Sequence, residues 1–335
     1  MVTYISMTVI VVVVVGLISY IQSRAALVNQ ASQNMDKATK LLSTSVSQLL
    51  TTQLNEIRSL ADNEITQSLN PARINPYLQE ALTDFNSFTS IFVAEPDGQA
   101  LAGTADNYAS LNFGERAYFK ASMQGSDFIN EPVVAKDTGQ IVIAFSAPVK
   151  KDGKVVAVVF GGVPTTSIAN LLANMQSGKT DEAYLVNQAG LFITPSRFTD
   201  QLITAKVIQT RSELELKDDS FGANEALAGR AGSSQFANYQ GILALGAYQP
   251  VRVENVQWGL VSIQDMAEIS APVNQIRNSL ILVLLIAILI VAAATFLMAS
   301  QITWPLIVLA ESAKQVAMGD FTQTVEVKSR DETGI

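Results

Sequence analysis

The apolar positions of this chain fall into three textures. Two runs carry no charged residue at all: Val2 to Ile21, interrupted only by Thr, Tyr, Ser and Gly, and the purer Leu280 to Ala299. At about 1.5 Å rise per residue, roughly 20 residues cover the ~30 Å hydrocarbon of a bilayer, so both predict transmembrane helices, at 2–21 and 280–299. A buried helix of a soluble core would carry a polar stripe and would usually be shorter. The second texture lies at 22–70, where Leu27, Ala31, Met35, Ala38, Leu42, Leu49, Ile57 and Leu60 recur at steps of three or four or their sums, uninterrupted by Pro or Gly. This spacing predicts one long amphipathic helix, closed by Pro71, whose apolar face covers a sheet or a second copy of itself.

The third texture is β-rich. Phe88 to Ala94 leads into Pro96-Asp97-Gly98, Asp137-Thr138-Gly139 precedes Ile141 to Val149, and Lys151-Asp152-Gly153 precedes Val155 to Val163. Apolar runs punctuated by Asp-Gly or Thr-Gly predict strands joined by tight turns, here an antiparallel sheet. A helical stretch, Thr166 to Met175, follows. The pattern then recurs in Ala183 to Val186, Leu191 to Thr194, Phe236 to Tyr239, Gly241 to Pro250 and Val256 to Ile263. Two tandem α/β modules are expected, the larger first, at about 71–178 and 179–268. Beyond the second apolar run, Trp304-Pro305 opens a short helix with a seam of Leu306, Leu309, Ala313 and Val316, ended at Gly319.

Composition narrows the chemistry. Of 335 residues, 48% are hydrophobic and only 16% charged, as suits a chain that is part membrane and part globular. Cys and His are absent, which removes disulfides, thiol catalysis, Cys/His zinc sites and a phosphoacceptor histidine. No hydrolase triad of the usual kinds and no phosphate-cradling Gly-x-x-x-x-Gly-Lys loop can be assembled, so neither an enzyme nor a cofactor is expected. A formal net charge of −8 without basic clusters argues against nucleic acid. The Val2 to Ile21 run is longer than the core of a typical signal peptide and lacks a basic leader, so an uncleaved anchor is the expectation. Arg24, Lys37, Lys40 and Arg277 flank the two runs on the loop side, and the positive-inside rule alone would place the middle segment in the cytoplasm. That rule is weak for long loops, which translocate largely regardless of charge.

Particular residues carry a resemblance to known families. Pro305 to Gly334, with Met318-Gly319-Asp320-Phe321-Thr322 and the closing Asp331-Glu332-Thr333-Gly334, resembles the HAMP linker of bacterial chemoreceptors and sensor kinases, truncated here at 301–335. The segment from about Gln22 to Arg277 resembles the double Cache (dCache) sensor of methyl-accepting chemotaxis proteins. The residues that carry it are Asp97-Gly98, Gly114 with Arg116-Ala117-Tyr118-Phe119, Ser146-Ala147-Pro148-Val149 and Gly161-Gly162, then Ala183-Tyr184-Leu185-Val186, Ala247-Tyr248-Gln249-Pro250-Val251 and Trp258-Gly259.

The resemblance implies an α+β fold, with a long N-terminal helix and two PAS-like antiparallel-sheet modules flanked by the two membrane helices. It also implies a homodimer in the inner membrane whose sensor lies in the periplasm or outside the cell and whose signal passes to cytoplasmic proteins. The ligand would sit in the membrane-distal module, with Arg116 as anion clamp, Tyr118 as hydroxyl-bearing wall, Phe119 packed below, and Val133, Phe145, Ser146 and Thr165 as further lining. A buried guanidinium holds a carboxylate in a bidentate way, and aromatic walls exclude water.

The chain departs from the amino-acid-binding version of the family. That version has an indole at the position of Tyr118, a Tyr near Val133 and an Asp near Val163-Pro164 that pairs the ligand's ammonium. An unpaired buried ammonium costs several kcal/mol, so a small organic acid or an uncharged metabolite is expected over an amino acid. The alternatives are the sensory half of a histidine kinase or nucleotide cyclase and, in another class, a membrane-anchored adhesion module.

Overall fold

The computed structural model of the chain describes residues 2–174, 176, 178–298 and 304–318. Its helices and strands in order are α1 (Val2–Ala61), α2 (Glu64–Gln67), α3 (Pro71–Phe85), β1 (Ser90–Ala94), β2 (Ala100–Gly103), α4 (Ala117–Met123), β3 (Phe128–Ile129), β4 (Val133–Val134), β5 (Ile141–Lys151) and β6 (Lys154–Pro164). There follow α5 (Thr165–Ala173), β7 (Glu182–Val186), α6 (Thr199–Thr204), α7 (Phe221–Leu227), β8 (Gly232–Ala237), β9 (Leu243–Val253), β10 (Val256–Asp265), α8 (Met266–Met298) and α9 (Trp304–Ala317). Val28–Ile269 make one compact unit, and the segments up to Leu27 and from Ser270 belong to a second.

Within the compact unit, the expected antiparallel sheets are both present. The first has the order β2-β1-β6-β5-β3, with β4 also paired to β5; the second has the order β7-β10-β9-β8. The β5–β6 hairpin turns at Asp152 and Gly153, both at positive φ, as its two-residue turn requires. Strand alternation then sorts the side chains. Ile91, Val93, Ile143, Phe145 and Val159 face Leu50, Leu54 and Ile57 of α1 and Ile74 and Leu78 of α3. Phe92, Ala144, Val158 and Phe160 face the opposite way, toward Phe113 and the α4 residues Tyr118 and Phe119. In the second module Leu185, Val251, Trp258 and Leu260 join the α1 cluster. Tyr184, Val186, Phe236 and Val261 pack instead with Ala223 and Ala226 of α7. One face of α1 therefore serves both sheets, which is the sheet-covering role its periodicity allowed.

The long helix ends earlier than its apolar spacing predicts. α1 stops at Ala61, the Asn63 side chain caps α2, and Leu69 turns the backbone at φ 55°. Pro71 then opens α3 rather than closing a helix: its fixed φ suits the first helical position, and Asn70 caps it by accepting from the Ala72 N–H at 3.1 Å. Leu191 to Thr194, expected as a strand, makes isolated bridges only, Val186 to Phe192 and Leu191 to Lys217.

Met266–Leu297, most of which lies in the second unit, is the one helix among the described residues that is long and apolar enough to cross a membrane; its apolar window has a mean hydropathy of 3.2, and none of that window is buried. The 2–21 run belongs to α1 and exposes Val11, Val15 and Leu17. α9 occupies the position of the expected seam helix, while Gly319 and the rest of the 319–335 segment lie outside the described residues.

Candidate functional site

The site is built on the face of the first sheet that α1 does not cover. Phe92 of β1, Phe160 of β6 and Phe113 form its floor, with Phe113 and Phe160 edge to face at 4.6 Å and Phe92 stacked on Phe160 at 5.5 Å. The turn at Gly98 and the one at Gly114 approach so closely that a Cβ on Gly98, at φ +86°, would lie 2.3 Å from the Gly114 nitrogen. That contact brings the Phe113 to Arg116 segment over the sheet edge. Arg116 then begins α4, and Tyr118 leans on Phe160 at 5.1 Å.

Opposite α4 runs the segment 131–137, a flap attached to the sheet through the two-residue strand β4. A cavity of about 30 Å³ remains between flap, α4 and sheet. Arg116, Tyr118, Val133, Lys136, Asp137 and Gly162 are among its lining residues. That volume holds about one or two waters. Two cations hold the flap down: Arg116 Nη2 donates to the Val134 carbonyl at 3.0 Å, and Lys136 Nζ donates to the Asn112 carbonyl while lying 5.6 Å from the Phe113 ring centre. Arg116 makes no ion pair among the described residues. Asp137 Oδ2 is buried without a hydrogen-bond partner. Burial pushes the Tyr118 hydroxyl far above its ordinary titration range, with Arg116 pulling it down and Asp137 pushing it up, so all three groups share one electrostatic environment.

Arg116, Tyr118 and Val133 thus come together, and the other expected lining residues do not join them. Phe119 is buried in the aromatic core under α4. Phe145 lies on the opposite face of β5, edge to face with Phe88 at 6.3 Å, because it alternates with Ala144. Ser146 shares a hydrogen bond of 2.8 Å with Ser122 and donates to the Tyr118 carbonyl at 3.1 Å, so it fastens α4 to β5. Thr165 starts α5 and donates to Glu213 Oε1 at 3.3 Å in the second module. Lys136 and Asp137 were not expected at the site. A polar pair beside Thr138-Gly139 reads as an ordinary solvated turn, and only their place on the flap marks them.

The flap is also tied to the second module. Asn255, in the β9–β10 turn, accepts from the Ile129 N–H at 2.9 Å and donates to the Ile129 carbonyl at 2.8 Å. Trp258 Nε1 of β10 donates to Glu131 Oε1 at 2.9 Å. Arg58 of α1 bridges Asp127 at 2.7 Å and Glu254 at 2.8 Å. β10 runs directly into α8, whose first turn is held by Glu268: it accepts from the backbone N–H groups of Lys179 and Thr180, both at 2.9 Å.

Two tandem antiparallel modules sharing one long helix, with a flap-covered charged cavity in the first and an apolar helix after the second, define a sensor-type ligand-binding module. The comparisons specify it. The Cache domain family (dCache_1) matches residues 23–273 and the HAMP domain family matches 297–335. The chain belongs to the double Cache family and carries a HAMP match at its end.

Among curated proteins it is 23% identical to methyl-accepting chemotaxis protein McpA of Pseudomonas putida over 72% of this chain and 35% of that protein. It is also 23% identical to McpA of Bacillus subtilis over 100% of this chain and 48% of that one. The chain thus spans about a third to a half of the length of the curated relatives it matches. Among solved structures, the ligand-binding domain of Pseudomonas fluorescens chemoreceptor CtaA in complex with L-alanine aligns with a TM-score of 0.53 at 18% identity, covering 70% of this chain and 97% of that one. That of Campylobacter jejuni chemoreceptor Tlp3 with 4-methylisoleucine aligns at 0.55 and 15%, covering 72% and 94%. At such identities the likeness is one of fold.

Proposed function

We propose that this chain is the sensory part of a bacterial transmembrane chemoreceptor, not an enzyme, and that it binds a small carboxylate-bearing metabolite in the flap-covered cavity of its first, membrane-distal module. The observation that carries this reading is the convergence of two cations, Arg116 and Lys136, one partnerless carboxylate oxygen on Asp137 and the Tyr118 hydroxyl on a cavity walled by aromatics. In this reading Arg116, Tyr118 and Val133 touch the ligand, Phe119 and Ser146 fix α4 behind them, and Phe145 and Thr165 take no part.

Val163-Pro164 offers no carboxylate to an α-ammonium. Asp137 supplies one from the flap, so an α-ammonium has a partner and amino acids fall within the ligand class. The L-alanine and 4-methylisoleucine bound to the structural neighbours agree with that widening. Two cations against one carboxylate still favour a ligand with net negative or zero charge.

The closed cavity is too small for such a ligand, so binding must lift the flap and take the guanidinium from the Val134 carbonyl to the ligand's carboxylate. Lifting the flap perturbs Glu131 and Ile129, and through Trp258 and Asn255 it perturbs β10, which continues into α8. A ligand that binds the lifted form better shifts the balance between two receptor states. We assign 2–21 and 280–299 as two spans of the inner membrane, with 22–277 outside the cytoplasm, in a homodimer that signals through HAMP to cytoplasmic chemotaxis proteins.

Titration calorimetry of the full chain in lipid nanodiscs, against the L-amino acids and a set of three- and four-carbon organic acids, tests this. At least one compound binds saturably, and Arg116→Ala weakens it about 30-fold or more, as expected when a desolvated charge pair loses a partner. Asp137→Asn weakens amino acids and spares organic acids. Saturable binding by none of these compounds overturns the reading.

A further inference from the structure

A second cavity, of about 340 Å³, lies in the second module between α1 and the sheet face that α1 covers. It lies within the range of roughly 300–1,000 Å³ typical of small-molecule sites. Its helix wall is Ala31, Met35, Ala38 and Leu42, on successive turns of α1. Its sheet wall includes Ala183 of β7 and Ser262 of β10, which the strand register sets side by side. Leu172, Gln176 and Gln264 close the end. Alanines on both walls, at 31, 38 and 183, create the hollow where larger side chains would have let helix and sheet interlock.

The polar groups of this cavity define what it can hold. Ser262 is 9% exposed, and its hydroxyl has no hydrogen-bond partner. A buried hydroxyl that lost its water on folding and gained nothing is costly to the apo fold, and a ligand in the cavity can satisfy it. Thr39, Asp181 and Glu182 are already engaged. The Thr39 hydroxyl donates to the Met35 carbonyl, and Asp181 accepts from Arg197 Nη1 at 2.7 Å and from the Gly178 N–H at 2.8 Å. The Glu182 carboxylate accepts from the Ser196 and Tyr239 hydroxyls and from the Arg197 N–H. Among the described residues no cation lines the cavity, and its carboxylates already accept hydrogen bonds, so a charged ligand would be desolvated there without a counter-charge.

We infer that this cavity is a second binding site, distinct from the one under the flap, for an uncharged small molecule with a branched apolar body and one amide or hydroxyl group that bonds to Ser262. Met35 and Leu42 pack the apolar body. The site walls β10 at Ser262 and Gln264, four and six residues beyond Trp258, so its occupant acts on the same strand that the flap reaches. It requires nothing of Arg116 or Asp137.

The test uses isobutyramide as probe, with isosteric isobutyrate as its charged control. Saturation-transfer NMR is recorded on the full chain in nanodiscs, and the signal of empty nanodiscs is subtracted. Isobutyramide gives a saturable signal and isobutyrate does not compete for it. Ala38→Leu fills the hollow and abolishes the signal. Ser262→Ala weakens binding about tenfold, the loss of one buried hydrogen bond, while leaving the melting temperature unchanged or higher because it removes a partnerless group. Should Ala38→Leu fail to fold, Ser262→Ala carries the test alone. Arg116→Ala keeps the isobutyramide signal, which separates this site from the flap site whatever becomes of the latter. No saturable signal, equal binding of isobutyrate, an undiminished signal in both cavity variants, or loss of the signal in Arg116→Ala overturns the inference.

Discussion

Asn255→Ala tests whether the flap and the second module act as one mechanical element. The Asn255 side chain completes both backbone groups of Ile129, at 2.9 and 2.8 Å, and alanine replaces neither bond. Ile129 is 1% exposed, so water does not readily take over. Each unpaired buried group costs about 1–3 kcal/mol; because Asn255 itself is exposed, the lower half applies, about 2–4 kcal/mol for the pair. For a unit of this size that lowers the melting temperature by about 4–16 °C. The larger consequence is local. β3 contributes only two residues to the sheet, so losing Asn255 frees the base of the flap, and amide exchange over 128–137 accelerates more than exchange in β5 or β6. Part of the work of lifting the flap is then already done, so a ligand of the flap site binds more tightly. Asn255→Asp keeps the acceptor for the Ile129 N–H and sets a second acceptor against the Ile129 carbonyl, so it recovers less than half of the loss. Hydrogen exchange read by mass spectrometry, beside thermal melts, decides the matter. A lower melting temperature with unchanged relative exchange over 128–137 would refute the coupling, and so would an unchanged melting temperature.

Two further outcomes test the core. Burial raises the Glu182 carboxyl above its ordinary value, while the Ser196 and Tyr239 hydroxyls pull it down. The folded chain therefore keeps a proton that the unfolded chain releases, so this group's contribution to stability falls as pH rises from about 4.5 through the raised folded value. Thermal melts should show Glu182→Gln gaining stability relative to the parent between about pH 4 and neutrality, and a gain that shrinks over that range would contradict the sign. Leu50, wholly buried on α1, should cost about 2–5 kcal/mol as alanine in urea denaturation, whereas Leu41, 62% exposed on the same helix, should change stability by about 0.5 kcal/mol or less. Equal costs would mean that the buried face of α1 has been misidentified.

Long uniform patterns were legible in the sequence and short ones were not. β5, β6 and β10 fall within two residues of the limits their apolar runs predict, because each is a hairpin strand bounded by a turn. β2, β3 and β4 have two to four residues and no period to read. The end of α1 is hidden in the sequence for a different reason. Apolar spacing continues through Ile65 and Leu69, while the break is made by a side-chain cap at Asn63 and a left-handed turn at Leu69, neither of which disturbs hydrophobicity. At the site, Arg116 and Tyr118 were recognisable from the local motif. Phe145 and Ser146 could not both have lined a cavity on one face of β5, since neighbouring residues of a strand point to opposite sides. The flap pair Lys136 and Asp137 gains its meaning only from the fold, which carries a polar turn back over the aromatic floor.

That placement bears on how a ligand of modest affinity could work such a receptor. The two modules share an apolar cluster in which Leu50, Leu54, Ile57, Phe145, Trp258 and Leu260 are all buried, and a close-packed core of this kind is costly to deform. The links from the flap are of another kind. The Arg58 ion pairs join side chains that are 29–48% exposed, and such pairs are worth roughly 0–1 kcal/mol each. The Asn255 and Trp258 hydrogen bonds add about 1–3 kcal/mol apiece at most. A ligand can redistribute an equilibrium only by its differential affinity for the two states, typically 1–3 kcal/mol. Each flap contact taken singly is on that scale, whereas the shared core far exceeds it. A change set off by the ligand would therefore begin in the flap and in its links to Asn255 and the Trp258 indole, while the side chains that Trp258 and Leu260 share with α1 hold the body of β10 in the common core.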